Sequence, residues 1–225
     1  MTTVSVRRSD GDSVTLDSSA IESLKAELRG PLLFPGDDGY DASRTVWNAM
    51  IDRRPALVVH CAGVNDIRHA VDFVRAHALL TSVKGGGHNI AGSAVCDGGF
   101  LIDLSGMRSV RVDPEARVAH VEPGATLGDF DSEAQAFGLA TPLGINSTTG
   151  VAGLTLGGAL RPDASGGGTN VFVNGRELHA YDLLGLQQIT GPIMLTLNDS
   201  GSGAGAWCSS SRKIQRCTTL HPGPP

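Results

Sequence analysis

The clearest pattern in the chain is NDIRHAVDFVRAHAL, residues 65–79. Ile67, Ala70, Val71, Val74 and Ala78 recur there at helical spacing between polar positions, which predicts an amphipathic helix. Asn65 stands where a cap is needed, and Asp66 suits the first turn. The apolar run ALVVHCAG precedes this helix and TSVKGGG follows it, each short enough for a strand. Strand, helix and strand in this order predict a parallel βαβ unit. FLIDLSG predicts a further strand. SVRVDPEARVAHVEPG alternates on both sides of Asp113-Pro114 and predicts a β-hairpin. TLGDFDSEAQAFG returns to helical spacing through Leu127, Phe130, Ala134 and Phe137, with Thr126 as the cap.

The remaining segments are less periodic. Residues 1–18 read as loosely ordered. Ser18 or Ser19 is expected to cap a helix through AIESLKAELRG that ends at Gly30. A turn at Pro35-Gly36 leads to a second helix over 42–50. TPLGINSTTGVAGLTLGGAL, residues 141–160, offers many N–H and hydroxyl donors and little core, so it reads as a binding loop rather than a helix or strand. VFVNGREL predicts a hairpin on an Asn-Gly turn, followed by a short helix over 181–189. From 191 onward no period is sustained, and most of the segment reads as disordered or loosely attached. The pattern as a whole predicts an α+β (mixed α/β) fold: a small parallel βαβ part, then an antiparallel sheet part.

Composition narrows the function classes. At 40% hydrophobic, the 225 residues can bury a sizeable core. The net charge of -5 without a basic tract argues against nucleic acid as a partner. No run of about 18 apolar residues is present, and the first residues lack an apolar signal core, so a cytoplasmic location away from membranes is the default expectation. Cys61, Cys96, Cys208 and Cys217 form no C-x-x-C pair and no zinc spacing with histidine, so they read as incidental thiols with no metal.

The candidate chemistry lies in VKGGGHNIAGSAVCDGG, residues 83–99, where Gly85, Gly86 and Gly87 precede His88. It is neither a phosphate loop of the G-x-x-x-x-G-K-[ST] type nor a dinucleotide fingerprint, because it leads into a strand. Two readings stay open on spacing alone. One is a backbone nest for an anionic group, the other a tight glycine turn. His88 is a competent nucleophile in its neutral form, and the glycines keep the approach to its ring clear. His60, His69, His77, His120, His179 and His221 read as ordinary histidines. Ser147-Thr148-Thr149 is a possible nucleophile cluster, but no G-x-S-x-G elbow surrounds it, so serine hydrolysis is disfavoured.

Three ordered blocks carry a family resemblance: RRPALVVHCAGVNDIRHAVDFVRAH, VKGGGHNIAGSAVCDGGFLIDLSGMRSVRVDP and FGLATPLGINSTTGVAGLTLGGAL. They resemble the FAD-dependent oxidases of the berberine-bridge-enzyme-like and 6-hydroxynicotine-oxidase-like group, which carry the PCMH-type FAD-binding domain of vanillyl-alcohol oxidase. The resemblance implies that FAD is the cofactor and that Gly85, Gly86, Gly87, His88, Asn89 and Gly92 wrap its pyrophosphate. It implies that His88 is joined covalently to the 8α-carbon of the flavin. Thr148, Thr149, Gly150 and Gly153 in the second loop are implied as further cofactor contacts. Some relatives add a cysteinyl link at a place occupied here by Asn146, so a single histidyl link is expected. The implied activity is hydride transfer from a small hydroxylated or amine substrate to FAD, with dioxygen reoxidising it.

The resemblance runs over about 24–160 and stops there. That divides the chain into a flexible 1–23, a partial PCMH-type FAD-binding domain over 24–160, and an unrelated or divergent, partly disordered 161–225. The expectation is an apparently truncated domain without its substrate half, for which the alternative is a non-catalytic FAD-binding fragment. The sequence names neither catalytic residues, substrate nor oligomeric state.

Overall fold

The computed structural model describes residues 3–141 and 143–156, and the backbone of four short strand segments at 172–173, 176–177, 193–196 and 198–199. The chain opens with a hairpin, β1 (Val4–Arg7) and β2 (Ser13–Leu16), paired antiparallel. This corrects the expectation of a flexible start. Val6 and Leu16 are buried, and Arg7 exchanges backbone hydrogen bonds with Gly98 and Leu80 on the neighbouring sheet. Four residues per strand gave too short an alternation to stand out in the sequence.

Helix α1 (Ser18–Glu27) is capped by Asp17, one residue before the expected serines, whose carboxylate accepts the Ala20 N–H at 2.8 Å. The second helix is α2 (Tyr40–Arg44), shorter and earlier than the expected 42–50. Strand β3 (Leu32–Leu33) lies between them. Strands β4 (Leu57–His60), β5 (Thr81–Lys84) and β6 (Phe100–Asp103) then build a four-stranded sheet in the order β3-β4-β6-β5. β6 runs parallel to both β4 and β5. The βαβ unit is therefore present, but β6 sits between its two strands, which the linear order did not reveal.

Both faces of this sheet are covered, so β4 and β6 read as continuous apolar runs. Leu57, Val59, Phe100 and Ile102 face a core shared with α1, the hairpin and α3 (Val64–His77). Val58 and Leu101 face a smaller cluster with Tyr40, Val46 and Val95. Each fully buried side chain of this size contributes about 1.5–3 kcal/mol. In α3 the expected face is correct, with Ala70, Val71 and Val74 buried. Its cap is not Asn65: the helix starts after Gly63, and Ala78 ends it in a left-handed conformation.

Asp66 does more than favour the helix N-terminus. It is fully buried, and its carboxylate accepts the N–H groups of Arg29, Gly30 and Ala62 at 3.0, 3.0 and 2.8 Å. Burial alone would raise its pKa. The three N–H bonds together outweigh burial and hold the carboxyl below its ordinary range.

The second part is antiparallel, as expected. β7 (Val110–Asp113) pairs with β8 (Val118–Val121), and helix α4 (Leu127–Gln135) packs against them. Thr126 caps α4 in a reciprocal box with Asp129. Phe130 and Leu127 centre an apolar core with Val121, Ala134 and Val151. Phe137 lies beyond the helix and is half exposed. Strand β9 (Leu139–Ala140) follows. The segment 141–160 is not all loop, because Val151–Leu156 forms the short helix α5. Strands β10 (Phe172–Val173) and β11 (Arg176–Glu177) pair as the expected hairpin. β12 (Ile193–Thr196) pairs antiparallel with β8, and β13 (Asn198–Asp199) with β9. For residues 193–196 and 198–199 these two pairings correct the reading of most of the segment after 191 as disordered or loosely attached. The expected helix over 181–189 lies outside the described residues.

Candidate functional site

Strand β5 ends at Lys84 and delivers the chain into the glycine loop. Lys84 is buried beside the equally buried Asp103, with Nζ 3.6 Å from Oδ2. Nζ also donates to the Ser43 carbonyl. Burial pushes the Lys84 ammonium below its ordinary pKa, and the Asp103 charge opposes that. Asp103 is held in turn by His60 Nδ1 at 3.1 Å and the Ser105 N–H at 3.1 Å. The base of the loop is thus fixed by a buried polar cluster at the C-terminal ends of β4, β5 and β6.

The loop then meets the second glycine segment backbone to backbone. A Cβ on Gly86 would lie 2.4 Å from the Gly150 nitrogen, and one on Gly150 would lie 2.6 Å from the Gly86 nitrogen. Neither position tolerates a side chain. A Cβ on Gly85 would lie 2.5 Å from the Pro123 carbonyl oxygen. Gly87 and Gly92 adopt left-handed conformations, φ 68° and 74°. The N–H groups of Gly86, Gly87 and His88 make no backbone hydrogen bond among the described residues. Successive unspent donors on a bare loop are what an anionic group requires. This favours the nest over the simple turn.

His88 is half-buried, and its Nε2 lies 2.8 Å from Thr148 Oγ1. Thr148 in turn binds Asn146 Oδ1 through its hydroxyl at 2.8 Å and its N–H at 3.0 Å. The two sequence blocks expected to share a cofactor are therefore in direct contact. Thr149 is used by its backbone: its carbonyl accepts the Leu127 N–H at 2.9 Å, which ties the second loop to the start of α4. Asn89 closes the first loop, accepting the Ser93 N–H at 3.0 Å. Gly153 lies apart from these contacts on the exposed side of α5, with nothing within 4 Å of its Cβ position.

One residue was missed. The Trp47 ring stacks on His88, centroids 5.3 Å apart at 24°, while the Trp47 backbone N–H donates to the Gly87 carbonyl at 3.0 Å. The neighbouring Asn48 amide donates to the Ile90 carbonyl at 2.8 Å, and Arg53 donates to the Gly92 and Val95 carbonyls at 2.9 Å. The segment 47–53 thus braces the loop from outside. Nothing in its own spacing signals this. Cys61 and Cys96 are free and buried, and burial pushes both thiols up, away from the reactive thiolate. Cys208 and Cys217 lie outside the described residues.

The sequence profile of the FAD binding domain family matches residues 55–175. The chain belongs to the FAD-binding-domain family. The match continues beyond residue 160, where the three resembling blocks end. (R)-6-hydroxynicotine oxidase of Paenarthrobacter nicotinovorans is 35% identical over 133 residues, 59% of this chain and 29% of that protein. An FAD-linked oxidoreductase of Dictyostelium discoideum is 40% identical over 114 residues, 51% of this chain and 25% of that protein. The crystal structure of 6-hydroxy-D-nicotine oxidase from Arthrobacter nicotinovorans superposes with a TM-score of 0.55 at 35% identity, covering 57% of this chain and 28% of that one. The chain spans less than a third of the length of these relatives. The mixed α/β fold thus carries an FAD-binding domain of PCMH type within an oxidoreductase family. No helix among the described residues is long and apolar enough to cross a membrane.

Proposed function

We propose that this chain is the flavin-holding part of an FAD-dependent oxidase, with FAD tethered covalently through His88. The observation that carries the reading is the contact of Gly86 with Gly150, which sets His88 on Thr148 beside a row of unspent N–H groups. The residues fit the cofactor's chemistry. Gly86, Gly87 and His88 offer backbone donors to a pyrophosphate, and the absence of side chains lets it approach. Trp47 packs on one face of the His88 ring and restricts its rotation. Asn89 and Arg53 keep the far end of the loop in shape. When bound, FAD would supply the two-electron acceptor for hydride transfer from a small hydroxylated or amine substrate, with dioxygen as the final acceptor. The oxidase named among the relatives supports this direction.

A second reading is a fragment that holds FAD without turnover. It is supported by the shared region, which makes up 25–29% of the relatives' lengths. One experiment addresses both. Protein from flavin-replete cells is precipitated in acid, and the pellet's visible spectrum is recorded. We expect the flavin to stay with the wild-type pellet and to be lost completely from His88→Ala. A colourless wild-type pellet overturns the covalent reading. Peroxide release across a panel of alcohols and amines separates the oxidase from the fragment.

A further inference from the structure

The contacts of Thr148 decide which nitrogen of His88 carries its proton. The Thr148 hydroxyl has a single proton and two partners, Asn146 Oδ1 at 2.8 Å and His88 Nε2 at 2.8 Å. The Asn146 atom also accepts the Thr148 backbone N–H at 3.0 Å, so it is the amide oxygen and not the nitrogen. An amide oxygen has no proton to give. The hydroxyl proton therefore points to Asn146, and the hydroxyl oxygen offers His88 lone pairs alone. Nε2 must be the donor, which leaves the lone pair of a neutral imidazole on Nδ1. Among the described residues Nδ1 makes no hydrogen bond. Trp47, stacked on the ring, hinders the flip that would exchange the two nitrogens.

We propose that Asn146 and Thr148 are positioning residues that hold His88 as its Nε2–H tautomer and so present Nδ1 as the bond-forming nitrogen. The inference rests on the covalent reading above and adds the groups that select the nucleophile. In the attachment, Nδ1 bonds to the 8α-carbon as one C–H bond there breaks. The imidazole sheds its Nε2 proton. Dioxygen takes up the electron pair and both protons as hydrogen peroxide. A hydroxyl suits the Nε2 position throughout, because it accepts from Nε2 before the proton leaves and can donate afterwards by turning its own proton from Asn146 to Nε2. Valine can do neither, and serine can do both.

The test uses the full chain, produced in riboflavin-starved cells and purified without flavin. Long-range nitrogen NMR of the histidine rings reads the His88 tautomer directly, with His88→Gln assigning the signal. We expect Nε2–H in the wild type and in Thr148→Ser, and a mixture in Thr148→Val and Asn146→Ala. FAD is then added, and covalent incorporation is followed by intact mass. Loss of one net hydrogen bond predicts incorporation roughly five- to tenfold slower in Thr148→Val and Asn146→Ala, restored in Thr148→Ser. Thr148 and Asn146 are exposed, so the variants are expected to fold, and the NMR spectra report it. An Nδ1–H tautomer in the wild type, or wild-type incorporation by Thr148→Val, overturns the proposal. If the wild type takes up no covalent flavin, the covalent reading fails, and the tautomer measurement still decides whether Asn146 and Thr148 set the ring.

Discussion

The two cores of the chain differ in what they bury. The parallel part, with its hairpin and helices α1 to α3, contains all the buried polar and charged side chains among the described residues: Ser43, Asp66, Ser82, Lys84 and Asp103. The core of the antiparallel part, around Phe130, is formed by apolar side chains. The polar groups of the first part have positional tasks. Asp66 ties the turn before β3 to α3, Ser82 accepts the Cys96 N–H at 3.0 Å, and Lys84 with Asp103 fixes the base of the glycine loop. The second part contributes the backbone of Thr149 and Gly150 and, from the exposed loop before them, the Thr148 hydroxyl, while its core carries that loop by packing. A part that must aim a reactive ring uses directional anchors. A part that has only to carry a loop can build its core from packing.

This contrast can be broken most directly at Lys84. Lys84→Met strips Asp103 of its buried cation and should lower unfolding stability by about 3–5 kcal/mol. Adding Asp103→Asn removes the stranded charge and should recover most of that loss. Urea unfolding of the single and double variants measures both. A single variant with the wild-type midpoint would mean that the buried pair is not an anchor.

Asp66 tests the next level. Three N–H groups converge on its carboxylate, and Asp66→Asn should cost about 2 kcal/mol. The sign with pH follows from its lowered pKa. The stabilisation is fully present above the unfolded carboxyl's range, about pH 5, and is lost as pH falls through the lower folded value. The acid limb of a stability profile should therefore be shallower in Asp66→Asn than in the wild type. Equal slopes would show that another group dominates acid unfolding.

The smallest effect is expected in the antiparallel part. Thr126→Ala removes one half of the α4 capping box and should cost about 1 kcal/mol. Thermal unfolding of this variant should show a loss well below that of Lys84→Met. A larger loss would place an anchor of the first kind in the second core.

What the sequence made legible follows the range of the forces involved. The α3 face, the hairpin at Asp113-Pro114 and the Thr126 cap depend on neighbours within a few residues, and each was readable. The cap of α1 was misplaced by a single residue, from Asp17 to the adjacent serines, because all these side chains are chemically able to cap. Asp66 was readable as a helix-terminal charge but not as the acceptor for Arg29 and Gly30, which are distant in sequence. The insertion of β6 between β4 and β5, the pairing of β12 with β8 and the stack of Trp47 on His88 are also nonlocal. Within the site, His88 and the glycines stood out by composition. The contact that joins them to Thr148 and Gly150 left no mark on either segment alone.

The abutment of Gly86 and Gly150 has a consequence for biogenesis. The two glycines hang from different cores, so His88 finds Thr148 only after both halves have folded and docked. A nascent or partly unfolded chain has the histidine but not its setting. If His88 tethers flavin as proposed above, its capture waits for both halves, and a chain stalled at either half is expected to stay uncoloured.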